Sequence, residues 1–168
     1  MFSKISDGID WFNLWQGRIT SMLIIPLLVV VLYEVLMRYG FNSPTVWGFE
    51  ATVFLYGMHY MFGLAYTDVT RGHVQVDIFT SLAPQKVRRA ISALTTIVFF
   101  LPVMIAMTIA STKYASYAVE GLERNATSWG PPIWPFKILM AFCFVILLLQ
   151  GISNLIRDVQ ALFGKEDS

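Results

Sequence analysis

Two histidines and one cysteine are the residues of this sequence best suited to metal, acid–base or nucleophilic chemistry. His59 lies inside an apolar run and His73 in a polar stretch, so the pair does not share the depth that haem ligation between facing helices requires. Cys143 stands alone, which excludes an internal disulfide and a cysteine-rich metal site. The sequence has no glycine-rich phosphate loop and no Ser/His/Asp arrangement.

We therefore predict no catalytic, substrate-binding or metal-binding residues, no bound cofactor and no enzymatic activity for this chain. Cys143 is interpreted as a small packing residue. His59 is interpreted as a residue that forms a hydrogen bond between two helices.

Three charged residues stand at the ends of apolar segments. Glu34 and Arg38 are four residues apart, so on a helix they share one face and can form an ion pair. Glu50 lies just inside the next apolar segment, where a carboxylate needs a partner or a hydrated cavity. We favour a salt bridge between Glu50 and Arg38 across the intervening turn. The alternative is that Glu50 is a proton or cation site.

Two further motifs are interpreted as structural. In the stretch 71–77, Gly72 can end a helix with a positive φ, and Asp77 can pair with Arg71. The stretch 129–135 contains two tryptophans and three prolines, which predicts a rigid re-entry into a helix at a membrane interface.

Four apolar segments must position these residues, at about 19–39, 47–67, 90–112 and 135–156. Each has the length of about 20 residues that a helix needs to cross a hydrocarbon core about 30 Å thick. Of the 168 residues, 56% are hydrophobic and only 14% are charged, against about 25% charged in soluble domains. The composition excludes a disordered chain, a coiled coil and a nucleic-acid-binding protein. It predicts an all-α integral membrane protein with four transmembrane helices in one domain, 1–168.

Two other segments have amphipathic spacing and are predicted to be interfacial helices, at about 3–16 and 74–88. For the first, a helix that simply extends into the first span is an equally good interpretation. Pro26 and Pro102 lie inside the first and third spans, where we expect them to kink the helices rather than end them.

The distribution of basic residues predicts the orientation. Eight lie on the side of the two termini and of the loop between the second and third spans, and four lie on the other side. The positive-inside rule then places both termini in the cytoplasm. The two sets are Lys4, Arg18, Arg71, Lys86, Arg88, Arg89, Arg157 and Lys165, against Arg38, Lys113, Arg124 and Lys137.

Small and polar residues favour close contact between helices in lipid, whereas bulky apolar residues are equally at home against lipid. We therefore expect the second and fourth spans to make the tightest helix contacts, some of them with a partner. The third span, with its unbroken bulky run, should be the most lipid-exposed. The candidate contact residues are Gly57, Gly63, Gln150, Gly151, Ser153 and Asn154.

The motifs, taken in this order, resemble those of the DctQ family, the small membrane subunit of tripartite ATP-independent periplasmic (TRAP) transporters. The resemblance spans about four-fifths of the chain. It departs from the family at Gly48 and Phe49, where polar or acidic residues are frequent, and at Met140-Ala141, where proline or glycine is common. The matching residues are Arg38, Tyr39, Phe41, Asn42, Pro44, Trp47, Glu50, Gly63, Arg71, Gly72, His73, Val74, Val76, Asp77, Pro132, Trp134 and Leu149-Gln150-Gly151.

The resemblance implies a small permease subunit in the bacterial inner membrane. Its partners would be a large permease subunit, bound as a tight heterodimer, a periplasmic substrate-binding protein and membrane lipid. The substrate would be an organic acid of the carboxylate or sialic acid type, and the sodium ions would bind in the large subunit. Two other functions stay open: a self-sufficient four-helix proton-coupled transporter that uses Glu50, and the membrane anchor subunit of an electron-transfer complex.

Overall fold

The structure, a computed structural model, describes residues 2–70 and 84–163. Its regular elements are all helical, and one isolated bridge pairs Arg124 with Pro132. The prediction of an all-α chain is confirmed. The α-helices are α1 (Phe2–Ser21), α2 (Ile24–Val35), α3 (Gly48–Val69), α4 (Gln85–Thr95), α5 (Leu101–Glu120) and α6 (Trp134–Phe163), and two π-helical turns cover Leu36–Gly40 and Thr96–Phe100.

Helix α1 continues into α2 despite Pro26. The proline has no N–H to donate to the carbonyl one turn earlier. Just before the proline the hydrogen-bond pattern tightens: the backbone N–H groups of Met22 and Leu23 donate to the carbonyls of Ile19 and Thr20, three residues earlier. The helix then resumes and ends in the π-helical turn Leu36–Gly40. It therefore passes through the proline, as the sequence predicted.

Pro102 is accommodated in the helix in a different way. The π-helical turn Thr96–Phe100 directly precedes it, and α5 begins at Leu101. A proline ring clashes with the carbonyl four residues earlier, here that of Val98, and the wider π turn relieves that clash. Helices α4 and α5 thus form one long helix, which extends beyond the predicted segment 90–112 at both ends.

Three of the described helical stretches are long and apolar enough to cross a membrane: Ser6–Gly40, Gln85–Glu120 and Trp134–Leu162. Helix α3 has 22 residues, which is sufficient length, but it is not among the three. Its Glu50, His59 and Asp68 lower its hydropathy. The fourth span therefore stays a prediction.

Helix α6 is the centre of the bundle. It packs against α1, α3, α4 and α5, whereas α2 packs against α3. The apolar core is small and lies between α3 and α6, where Phe62 and Ala65 meet Cys143, Ile146 and Leu147. Cys143 is thus a buried packing residue, as expected.

The long helix formed by α4 and α5 is the least buried of the three candidate spans. In the most apolar stretch of 18 residues of this helix 6% of the residues are buried, against 33% in the corresponding stretch of α6. The long helix is thus the most exposed of the three within this chain, and its exposure to lipid stays an expectation. It packs against α6 through α4, the π-helical turn and α5. The closest approach is at Phe100, whose ring occupies the space that a Cβ atom on Gly151 would need.

Both ends of the described chain meet at one end of the bundle. Ser6 donates to the carbonyl of Ser153 at 3.4 Å, and Arg89 of α4 lies 3.5 Å from Asp158 of α6. At the other end, the start of α3 meets the start of α6 through the rings of Phe54 and Phe136, with centroids 5.2 Å apart. The loops 41–47 and 121–133 therefore lie at the opposite end of the bundle from the start of α1 and the end of α6.

The predicted interfacial segments have separate outcomes. The segment 3–16 is not an element of its own: it is the first part of α1, with Ser6 and Asn13 fully buried against the bundle. The continuous-helix interpretation is therefore correct, because these polar side chains find their partners in α6. Of the segment 74–88, residues 74–83 lie outside the described residues, and Pro84 caps α4, which begins at Gln85.

The α1–α3 contact yields a stability prediction. A Cβ atom on Gly17 would lie 2.6 Å from Tyr66 Cβ. We predict that Gly17→Ala destabilises the protein by about 1–3 kcal/mol through overpacking, although alanine is the better helix former by about 0.5–1 kcal/mol. The measurement is the thermal unfolding midpoint in detergent. Gly8→Ala is the matched control on the same helix, because its Cβ would meet nothing within 4 Å; equal midpoints for both variants would contradict the prediction.

Candidate functional site

A buried hydrogen bond between two amide side chains joins α1 to α6. Asn13 Nδ2 donates to Gln150 Oε1 at 2.6 Å, and both residues have no exposed surface. Gln150 Nε2 in turn donates to Asp10 Oδ1 at 2.9 Å. Both amide nitrogens thus donate to partners inside the protein, as polar groups in a bilayer are expected to do. Asn13 Oδ1 is buried without a hydrogen-bond partner among the described residues.

Further polar side chains extend this pair into a network that we call the α1–α6 polar cluster. It links α1 to the C-terminal half of α6, and Asn154 adds α3 by donating to Asp68 Oδ2 at 2.9 Å. At its outer edge Arg157 Nη2 contacts Asp10 Oδ2 at 2.6 Å and Asp7 Oδ1 at 2.9 Å. The members of the cluster are Ser6, Asp7, Asp10, Asn13, Gln150, Ser153, Asn154, Arg157 and Asp68.

The cluster fixes the orientation of α1. Its polar side faces the bundle, whereas Trp11 and Trp15 are 67% and 52% exposed and stack on each other. Sequence analysis named Gln150, Ser153 and Asn154 but missed Asn13 and Asp10. Their spacing on one face of a helix was visible, but their partners lie more than 130 residues away in the sequence.

Glu34 organises the opposite end of the bundle. Its Oε1 accepts from Arg38 Nη2 at 2.6 Å, which confirms the predicted pair on one helix face. Its Oε2 accepts from the backbone N–H of Thr45 at 3.2 Å and also from the Thr45 hydroxyl. The carboxylate therefore ties the end of the first long helix to the start of α3. Asn42, with φ of +50°, lies in the turn that it closes.

The predicted salt bridge between Arg38 and Glu50 is wrong. Arg38 forms its ion pair with Glu34 instead, and its side chain is half exposed. Glu50 faces inward instead, with 7% of its surface exposed, and its Oε2 has no hydrogen-bond partner among the described residues. It lies in the first turn of α3, where the positive end of the helix dipole favours a negative charge.

Polar contacts hold the loop that re-enters α6. Arg124 Nε donates to the carbonyl of Gly130 at 2.8 Å, and Gly130 has a φ of +58° that favours glycine. Lys137 pairs with Glu123, and its Nζ lies 3.7 Å from the centroid of the Tyr114 ring. Helix α6 then begins at Trp134. The loop 121–133 is thus fastened on both sides.

His59 forms the interhelical hydrogen bond that the sequence predicted: its Nδ1 lies 3.1 Å from the carbonyl oxygen of Thr20. Among the described residues, no group of three or more His, Cys, Asp and Glu residues could hold a metal ion. The stretch 71–77 lies outside the described residues. The predictions that involve Arg71, Gly72, His73 and Asp77 therefore stay predictions.

The candidate partner contacts divide into two groups. Gln150, Gly151 and Ser153 are buried between helices of this chain, so their contacts are internal. Gly57 lies under the Phe136 ring. Gly63 differs, because a Cβ atom there would meet nothing within 4 Å. Of the motif residues near the loop 41–47, Tyr39 is 80% exposed and Pro44 is also exposed, whereas Trp47 stacks on Tyr33 with centroids 5.7 Å apart.

The polar cluster yields a second prediction. Gln150→Leu leaves the Asn13 amide buried without its partner, and we expect a loss of about 1–3 kcal/mol in the free energy of unfolding. The double variant Asn13→Leu/Gln150→Leu should lose less than the sum of the two single variants, because neither amide is then left alone. Unfolding in detergent measures all three. Gln160→Leu, an exposed glutamine on the same helix, is the control, and strict additivity of the two changes would refute the coupling.

Comparison with known proteins agrees with this architecture. Residues 27–161 match the family model described as "Tripartite ATP-independent periplasmic transporters, DctQ component". The chain is 26% identical over 134 residues to the sialic acid TRAP transporter permease protein SiaT of Haemophilus influenzae, which covers 78% of this chain and 21% of that relative. It is 31% identical over 81 residues to the C4-dicarboxylate TRAP transporter small permease protein DctQ of Vibrio cholerae, covering 48% of this chain and 34% of that relative.

The chain thus aligns with about a fifth and a third of the lengths of these two relatives. The family match, in contrast, runs from α2 almost to the end of α6 and includes the Glu34–Arg38 pair, the described part of α3 and Gln150. This chain therefore belongs to the DctQ component family of the tripartite ATP-independent periplasmic transporters.

Proposed function

We propose that this chain is the small permease subunit of a sodium-coupled, binding-protein-dependent transporter for an organic acid. It would anchor a large permease subunit in the bilayer and give that subunit a fixed reference against which to move. Family membership supports this proposal. The names of the two relatives, a sialic acid and a C4-dicarboxylate transporter component, support the substrate class.

A supporting role is favoured because the buried polar groups of this chain bond its own helices to one another. Asn13, Gln150 and Ser153 form hydrogen bonds between helices of this chain. Coupled carriers usually build their sites from unwound half-helices near mid-membrane. Here α6 is unbroken over 30 residues, and the first helix keeps backbone hydrogen bonds through its interruption at Met22 and Leu23. Such continuous, mutually bonded helices are suited to a rigid scaffold.

The same proposal includes four spans with both termini in the cytoplasm of a bacterium. Helix α3 would be the fourth span, since its 22 residues extend about 33 Å at 1.5 Å per residue. The start of α1, the end of α6 and the start of α4 share one end of the bundle, and the sequence concentrates its basic residues in the segments that lead to that end. The loops 41–47 and 121–133 would then face the periplasm, where a binding protein could reach them.

The proposal predicts how transport divides between subunits. Liposomes that contain this chain alone should take up no carboxylate, because its polar groups hold helices together rather than form a substrate site. Liposomes with the cognate large permease subunit as well should take it up when a sodium gradient and the binding protein are supplied. The measurement is uptake of radiolabelled sialic acid and C4-dicarboxylates. Equal uptake by the chain alone would refute the proposal, and omission of sodium is the control for coupling.

One observation favours a second function, proton coupling at Glu50. This carboxylate is buried, and its Oε2 has no hydrogen-bond partner among the described residues. A scaffold role predicts that Glu50→Gln, which keeps the shape of the side chain, leaves the uptake rate of the assembled complex and its pH profile unchanged. Glu120→Gln, an exposed carboxylate at the end of α5, is the matched control. Loss of uptake in Glu50→Gln alone, with assembly intact, would favour the coupling role.

A further inference from the structure

The bundle has two kinds of exposed surface. From Ile97 to Ile109, the long helix of α4 and α5 exposes large side chains that are all aliphatic, phenylalanine or methionine: Ile97, Val98, Phe99, Val103, Ile105, Met107 and Ile109. The outer face of α3 instead exposes Tyr56 and Tyr60, at 55% and 59%, next to Gly63 and Thr67 at helical spacing. Lipid tails suit the first surface, because it has no polar side-chain atom that would need a partner.

The two tyrosines lie at the middle of α3. They stand 8 and 12 residues from its first residue, Gly48, so they lie about 12 and 18 Å along an axis of about 33 Å. Their rings stack with centroids 5.9 Å apart, and neither hydroxyl has a hydrogen-bond partner among the described residues. In a hydrocarbon core about 30 Å thick, no water would be available to them at that depth.

A cavity opens between α1 and α3, and Tyr60 lines the cavity next to it. The first cavity has a volume of about 250 Å³, and the neighbouring cavity of about 240 Å³ shares His59, Gly63 and Thr67 with it. Gly63 lies where the two meet, which explains why a Cβ atom there would touch nothing. The first cavity is lined by Gly17, Arg18, Thr20, Ser21, His59, Gly63, Tyr66 and Thr67.

His59 indicates what kind of group would fit. A carbonyl oxygen can only accept, so the Nδ1 that lies 3.1 Å from the Thr20 carbonyl must hold the hydrogen. In the neutral ring Nε2 is then an acceptor, and it has no partner among the described residues. At mid-membrane depth a lipid presents only its hydrocarbon tails, which offer no donor and cannot satisfy it. A protein side chain with an N–H or O–H can satisfy both His59 and the tyrosine hydroxyls.

We propose that the α3 face, defined by Tyr56, His59, Tyr60, Gly63 and Thr67, is the surface on which a transmembrane helix of the large permease subunit docks. That helix would place a small residue against Gly63 and direct a hydrogen-bond donor to His59 Nε2. This inference rests on the proposed function for the existence of the partner. It adds which face of the chain the partner covers and which chemistry recognises it. The long helix of α4 and α5 is left to lipid.

Photo-cross-linking in the assembled complex tests the face. The probe is p-benzoyl-phenylalanine, placed at Tyr60 or, as the matched control, at Phe99, which is 68% exposed on the other surface. We expect the Tyr60 probe to give adducts with the large subunit and the Phe99 probe to give none. Adducts of the Tyr60 probe with lipid alone or with a second copy of this chain would overturn the inference. So would adducts of the Phe99 probe alone with the large subunit.

A packing variant gives an independent readout. Gly63→Phe should leave the fold of this chain intact, since the space at Gly63 is open, but should block the approaching helix. We expect recovery of the large subunit by affinity purification to fall about tenfold or more, while Ala110→Phe, at an exposed position on α5, leaves it unchanged. Undiminished recovery with Gly63→Phe overturns the inference alone. If the wild-type chain itself recovers no large subunit, the proposed function fails as well.

Discussion

The hydrogen bond between Asn13 and Gln150 expresses the constraint on which this structure depends: a polar group away from water must find its partner inside the protein. It explains why α1 turns its polar side toward α6 and leaves Trp11 and Trp15 outside. In a soluble protein the same helix would have the opposite orientation. Polar contacts between helices therefore add to the small apolar core in holding the bundle together.

The same constraint concentrates charges at the two ends of the bundle. Around one end, Arg157 bridges α6 to Asp7 and Asp10 of α1, and Arg89 meets Asp158. At the other, Glu34 fastens the first long helix to Thr45 and Lys137 pairs with Glu123. Helices that are tied at both ends resist sliding and tilting against one another. This resistance is the property that an anchor for a moving partner requires.

Some polar atoms depart from the rule that polar side chains are partnered within the chain. Asn13 Oδ1 and Gln16 Oε1 are buried without a hydrogen-bond partner among the described residues. Two further groups also lack partners. Glu50 is buried with an unpartnered oxygen among the described residues, and the α3 face presents two tyrosine hydroxyls and an imidazole acceptor. A family whose members are components of a tripartite transporter offers a ready explanation for the second, since a partner helix would complete what this chain leaves open. The stretch from Ile97 to Ile109 needs no such completion, because its large exposed side chains are apolar.

Sequence alone determined the features that depend on local spacing and on hydropathy. These are the all-helical architecture, the passage of helices through Pro26 and Pro102, the pairing of Glu34 with Arg38 and the family to which the chain belongs. Only the tertiary structure decided that Arg38 does not reach Glu50 and that α1 packs by its polar face. The pattern of a helix shows that two faces differ, but lipid and protein interior are equally apolar, so the pattern does not say which face is inside. The contact with Gln150 decides which face of α1 is inside, and Gln150 lies 137 residues from Asn13 along the chain but beside it in the folded bundle.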